Sequence, residues 1–202
     1  GSKILSVKSF IKPSRRMCYN KDDIFIKYEV PMSLKNRDLL LELIKDADDF
    51  ASFKNLKCPP IYFLGGSGCI LGNYLDRATF DLDFIDIEYE ASAGKVFRLF
   101  DRFDMLDTYV TPIADGYEKR AVKLEGFRTL EYYVLSKEDI IVSKLGRYSD
   151  KDKEDIDLLM VECDRQLLDE LIRNVINRKH FSERVRVEVI KNSDLLRKRY
   201  HV

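Results

Sequence analysis

Apolar residues alternate at Ile24, Ile26, Tyr28 and Val30, which predicts a short strand or an arm ahead of Pro31. The period then lengthens. Leu40, Leu43, Ile44, Ala47 and Phe50-Ala51 form one stripe at helical spacing, with Ser33 or Asn36 as the cap. Pro59-Pro60 breaks the chain, and the four apolar residues 61–64 read as a strand buried on both faces that stops at Gly65-Gly66-Ser67-Gly68. Residues 69–75 read as the next helix and 81–87 as the next strand. Ser92 is expected to cap a helix with Val96, Leu99, Phe100 and Phe103 inward. Residues 106–111 are a third strand candidate, and 122–124 and 130–135 a further pair turning at Gly126.

Beyond Leu135 the spacing becomes helical. Ser136 with Asp139, and Ser149 with Asp152, have the order of capping boxes, in which an acid three residues past a hydroxyl reaches back to the helix start. Asp164 opens a third helix with Leu167, Leu168, Leu171, Ile172 and Val175 on one side, while residues 184–190 are ambiguous between strand and helix. The fold class is α/β, more fully α+β: a mixed sheet flanked by helices over residues 1–135, with an N-terminal arm and helix, then a mainly helical region over 136–202 that completes the site.

Composition narrows the function classes. Thirty-five basic residues balance thirty-five acidic ones, so bulk charge does not draw this chain to nucleic acid, although local basic patches remain open. No apolar run is long enough to span a bilayer, and no membrane contact is expected. Four widely spaced cysteines without a CxxC, and only two histidines (His180, His201), argue against a disulfide framework or a zinc site, so a cytoplasmic location is expected.

The chemistry concentrates between Leu64 and Ile87. Gly65-Gly66-Ser67 is followed, after thirteen residues, by Asp81-Leu82-Asp83. Glycines at a strand end permit unusual torsions and close approach, and a helix start offers unpaired N–H groups to phosphate oxygens. Asp81 and Asp83, two apart on a strand, point to one face about 7 Å apart at the backbone. Two hard oxygen ligands beside a phosphate seat suit Mg²⁺, which favours a few carboxylates, water and substrate phosphates. Either tripeptide alone is more often an ordinary turn or a solvated strand end; their order and helix-length gap carry the functional reading.

Together these residues resemble the signature of the polymerase-beta-like nucleotidyltransferase superfamily. The fuller string from Arg77 and Thr79 through Asp81-Leu82-Asp83-Phe84 resembles the branch holding the AbiEii/MenT-type toxins and many small uncharacterised nucleotidyltransferases. A second block, Glu138-Asp139 through Lys144, then Arg147, Lys151-Asp152 and Asp155, is similar to that branch as well. The resemblance covers about half the chain. It implies a polymerase-beta-like nucleotidyltransferase core with a C-terminal helical region, acting on an NTP with Mg²⁺ (or Mn²⁺). It assigns Gly65, Gly66 and Ser67 to the triphosphate, Asp81 and Asp83 to the metal, and Lys144 to the phosphates. Asp152 completes the site, with Asp155 as its rival. A third carboxylate on the next strand is expected by the same resemblance, with Asp107 the best positioned and Glu131 second.

Each assignment has a plainer alternative. Lys144 reads equally as a solvated lysine, Asp152 as a capping acid, and residues 150–157 as a charged helix face. Arg77 and Thr79 shape the loop before the acidic strand, with pairing of Arg77 to Asp81, Asp83 or a phosphate as the alternative. Arg15-Arg16 and the run Arg197 to His201 are local basic patches that could track a nucleic-acid backbone. Cys69 is expected to be a small buried filler, and Tyr132-Tyr133 to straddle the two sheet faces. The expected activity is transfer of an NMP to an acceptor hydroxyl on RNA (a tRNA end), a protein or a small molecule, with a toxin role and an antitoxin partner among the readings. The alternative class is a non-catalytic nucleotide- or partner-binding module on the same scaffold.

Overall fold

The computed structural model describes residues 34–202. The strand or arm expected at 24–30, Arg15-Arg16, Cys18 and Ser33 lie outside the described residues. Five short strands, β1 (Ile61–Leu64), β2 (Leu82–Asp86), β3 (Phe103–Asp107), β4 (Val122–Lys123) and β5 (Tyr132–Val134), form one mixed sheet in the order β3-β2-β1-β5-β4. β1 is antiparallel to β2 and parallel to β5, β2 is parallel to β3, and β4 is antiparallel to β5. The C-terminal end of β1 therefore shares one end of the sheet with the starts of β2 and β3.

The helices are α1 (Arg37–Phe53), α2 (Gly65–Leu71), α3 (Gly94–Phe97), α4 (Tyr117–Arg120), α5 (Lys137–Lys144), α6 (Asp150–Leu159), α7 (Arg165–Asn177) and α8 (Glu183–Tyr200). Their starts follow the expected chemistry. Asn36, Ser136, Ser149 and Asp164 each accept a backbone N–H from the first turn, and Ser149 with Asp152 closes a full capping box; the box expected at Ser136 is half made, its Asp139 accepting from the Ser136 hydroxyl and Arg120. α1 buries Leu40, Ile44, Ala47 and Ala51, and also Asp48. The Asp48 carboxylate is not stranded: it accepts the N–H groups of Arg128, Thr129 and Leu130 at 3.0, 2.8 and 2.8 Å, fixing the segment that feeds β5. Burial opposes its charge, but those three donors hold its pKa below the ordinary carboxylate value. Tyr132 adds a second tie by donating to the Ile44 carbonyl at 2.8 Å. Phe63, Phe84, Phe100 and Tyr132 fill the centre, with Phe63 stacked on Tyr132 at 5.6 Å between ring centroids.

Three expectations shift, and one open reading is decided. The helix expected at 69–75 spans 65–71, with no loop between it and β1. The helix from Ser92 is not one regular helix: Ser92 makes no cap bond, and the regular α-turns are confined to α3 between two tighter turns. The third strand lies at 103–107 rather than 106–111, because at Asp107 the chain turns away. The Asp107 carbonyl accepts from Val110 and Thr111, and its carboxylate accepts from Tyr109 N–H at 2.7 Å. Residues 184–190 are helical; Val189 is buried and Val187 exposed on α8. Among the described residues, no helix is long and apolar enough to cross a membrane.

Candidate active site

β1 passes directly into α2, and Gly65, the first helical residue, has φ +62°. A Cβ on Gly65 would overlap Oδ2 of Asp83 and stand 3.0 Å from its Cγ. The glycine thus lets the Asp83 carboxyl group lie against the backbone, where the Gly66 N–H bonds to it. Ser67 is fully buried; its hydroxyl accepts the Asp83 N–H at 2.8 Å and donates to the Leu64 carbonyl at 3.3 Å. The turn expected to cradle phosphate also holds the protein's own acid, and Ser67 works as a strut between α2 and β2.

Asp83 stands in register with Asp104 on the parallel strand β3. Asp81, just before β2, is ion-paired with Arg102 Nε at 2.8 Å. Burial first, then the charges of Asp104 and Asp81, push the Asp83 carboxyl up to about 6, against the opposing pull of Lys144 and the Gly66 N–H. Asp107, the acid expected beside this pair, is in register with Asp86 at the far end of the same strands, three residues and roughly 10 Å away. There it lines a separate cavity of about 450 Å³ with Asp86, Glu88, Asp115, Tyr117 and Arg178. Glu131 is also remote: it precedes β5 at the opposite end of β1, exposed and paired with Lys123 at 3.1 Å. Asp104 is therefore the neighbouring acid.

The second expected block does meet. Lys144, the last residue of α5, is buried with Nζ 2.8 Å from Asp155 Oδ2 and 3.4 Å from Asp152 Oδ1. Arg77 is not paired with Asp81 or Asp83. Its two terminal nitrogens fork onto Asp155 at 2.8 and 3.0 Å. Arg147 forks onto Asp152 at 2.8 Å from both Nε and Nη2. Burial works against the Asp152 charge, but Arg147, Ser149 and Lys144 hold its pKa well below the usual carboxylate range. Asp152 is thus both the capping acid and a Lys144 partner, and Asp155 is the nearer of the two acids to that ammonium.

Residues 38–198 match the family described as nucleotidyltransferase of unknown function (DUF6036). The chain belongs to that nucleotidyltransferase family. No curated protein and no solved structure matches it. The mixed five-stranded sheet flanked by helices is consistent with a nucleotidyltransferase core.

Other candidates of this nucleotidyltransferase family member take lesser places. The Cys69 thiol is buried and pushed up to about 12 by that burial, as suits a core residue rather than a nucleophile. Two arginines of the basic C-terminal run are paired: Arg197 with Asp169 at 2.8 Å and Arg199 with Asp157 at 2.7 Å. Tyr132 faces the core, and Tyr133 stacks on Tyr62 at 5.1 Å on the other face. Among the described residues, no group of three or more His, Cys, Asp or Glu converges as a ready-made metal cage.

Proposed function

We propose that this chain transfers a nucleoside monophosphate from an NTP to an acceptor hydroxyl and releases pyrophosphate. The observation that carries the reading is the crowding of acids at one sheet end. Asp83 is forced up to about 6 by burial, by Asp104 in register beside it and by Asp81, with the cations Lys144 and Arg77 adjoining the same α2 region. Carboxylates that repel one another in a half-dry setting are a natural seat for a divalent cation, and the residues fit one. Mg²⁺ needs only one or two carboxylates when water and phosphates complete its shell, so Asp83 with Asp81 or Asp104 suffices without a preformed cage. Mg²⁺ or Mn²⁺ supplies Lewis-acid stabilisation of the phosphate charge.

In this reading the acceptor oxygen bonds to the α-phosphorus while the bond from that phosphorus to the β-phosphate's bridging oxygen breaks. The acceptor proton passes to the Asp104 carboxylate, and the electron pair leaves with pyrophosphate. Lys144 counters the charge that develops on the leaving group. Gly65 and Gly66 keep the backbone low enough for substrate and Asp83 to approach, and Ser67 holds Asp83 in place. Positioning and charge neutralisation account for such chemistry. The AbiEii/MenT-like motifs favour RNA, a tRNA end in particular, as acceptor, and a toxin role with an antitoxin partner. Growth arrest on expression, relieved by a neighbouring gene, is the corresponding test of that role.

A non-catalytic nucleotide-binding module is the second reading, favoured by one observation: Ser67 and Lys144 already have protein partners. Incubation with each labelled NTP, Mg²⁺ and total RNA separates the two. Transfer of label by the wild type but not by Asp81→Ala/Asp83→Ala supports the enzyme. Saturable NTP binding with no transfer to RNA, protein or small acceptors overturns it in favour of the module.

A further inference from the structure

Asp155 is buried, 2% exposed, yet it serves two cations at once. Lys144 Nζ and Arg77 Nη2 both approach its Oδ2, at 2.8 and 3.0 Å, and Arg77 Nη1 takes Oδ1 at 2.8 Å. Asp152, the other partner of Lys144, is itself forked by Arg147, so three cations (Lys144, Arg77, Arg147) meet Asp152, Asp155 and the nearby Asp83. With Asp83 engaged by a divalent cation, three cations are left facing two acids, and that balance favours an anion.

Arg77 has unused capacity. A guanidinium carries five N–H donors, of which the fork onto Asp155 uses two. Its Nε is buried and has no hydrogen-bond partner. The group also lies hard against the turn beside Asp83: a Cβ on Gly66 would stand 2.8 Å from Arg77 Nη2 and 3.4 Å from Thr79 Oγ1. The loop bearing Arg77 is itself anchored. Lys35 pairs backbone to backbone with Thr79 at 2.7 and 3.0 Å, and its ammonium bonds the Phe80 carbonyl at 2.9 Å. A planar fork held rigidly by a buried acid, with donors to spare, is suited to phosphate oxygens.

We infer that Arg77, forked on Asp155 and lying against Gly66, is a second cation for the polyphosphate of the bound nucleotide, positioned by the same carboxylate that holds Lys144. The inference rests on the nucleotidyltransferase reading and names a contact within it. Arg77 reads the β- and γ-phosphates, and Asp155 is a positioning residue that orients both cations without touching substrate.

Equilibrium binding of each NTP and its matching NMP to the full chain, with Mg²⁺ present, tests it. The wild type is expected to prefer an NTP over its NMP. Arg77→Gln lowers that preference by ~10-fold or more, as loss of a charged hydrogen bond implies, while NMP affinity holds. Asp155→Asn, of nearly the same shape, keeps both cations but frees them, and lowers the preference as well; it serves if Arg77→Gln does not fold. A preference unchanged in the folded variants, with only the melting temperature reduced, overturns the inference and leaves the fork as a structural clamp. A wild type that binds and transfers NTP in that case keeps the reading of the reaction intact. A wild type that binds no NTP overturns both.

Discussion

Asp83 and Gly65 meet so closely that a side chain on the glycine and the carboxyl group on the aspartate exclude one another: a Cβ at 65 would overlap Oδ2 and stand 3.1 Å from Asp83 Cβ. The glycine is needed twice, for its φ of +62° and for this approach. Gly65→Ala is expected to cost about 1–2 kcal/mol from the left-handed backbone alone, with the overlap added. Urea titration of the double variant Gly65→Ala/Asp83→Ala isolates the second part. It should recover about 1 kcal/mol or more relative to the sum of the single changes, and simple additivity refutes the contact.

The same acid gives a stability signature with pH. Burial, Asp104 and Asp81 raise the Asp83 carboxyl from 3.8 to about 6, so the folded chain holds this proton more tightly than the unfolded one. Its ionisation therefore removes stability as pH climbs from about 4 through about 6, and the loss is complete above that. Asp83→Asn escapes the loss. Melting curves should show the variant more stable than the wild type at pH 8, by up to ~3 kcal/mol, with the gap closing toward pH 4. A gap that widens in acid contradicts the proposed environment.

Asp104 and Asp107 share a strand but not an end of it. In the labelled-NTP assay, Asp104→Asn should reduce transfer by about 10²-fold or more, the scale of losing a positioned proton acceptor. Asp107→Asn should leave transfer within about threefold. The reverse ranking removes Asp104 from the site.

Asp152 closes the capping box of α6 and partners Arg147 and Lys144. Asp152→Ala is expected to destabilise by about 2–4 kcal/mol at neutral pH, combining a lost cap with a weakened buried ion pair. Its pKa is depressed in the fold, so this contribution is full above the unfolded value near 4 and fades progressively as pH falls from there toward the lower folded value. Denaturation at pH 7 and pH 3 measures whether the gap narrows in acid.

Much of this was legible where the chain's own local chemistry decides. β1 follows from four apolar residues between a Pro-Pro break and glycines, and the starts of α5, α6 and α7 from Ser136, Ser149 and Asp164. The resemblance of the second block also put Lys144, Asp152 and Asp155 at one site, and the three do meet. Asp104 was not. β3 is an edge strand whose Phe103 and Leu106 are half-buried while Asp104, Met105 and Asp107 are exposed, so no alternation marks it. Its partner's register is set by sheet pairing across a broken helix, which spacing does not encode. The neighbour of Gly65-Gly66 was hidden for a similar reason. That glycines admit something was plain, but that the guest is Asp83, eighteen positions onward, depends on the antiparallel pairing of Leu64 with Asp83.

The bridge from Arg77 to Asp155 spans 78 positions. At roughly 5–20 residues per second of translation, the arginine emerges some 4–16 s before its acid does. Once the acids of β2 and β3 have emerged, the growing polypeptide still lacks Lys144, Asp152 and Asp155. A fragment cut short before Asp155 therefore lacks the one carboxylate that holds Arg77 and Lys144 together.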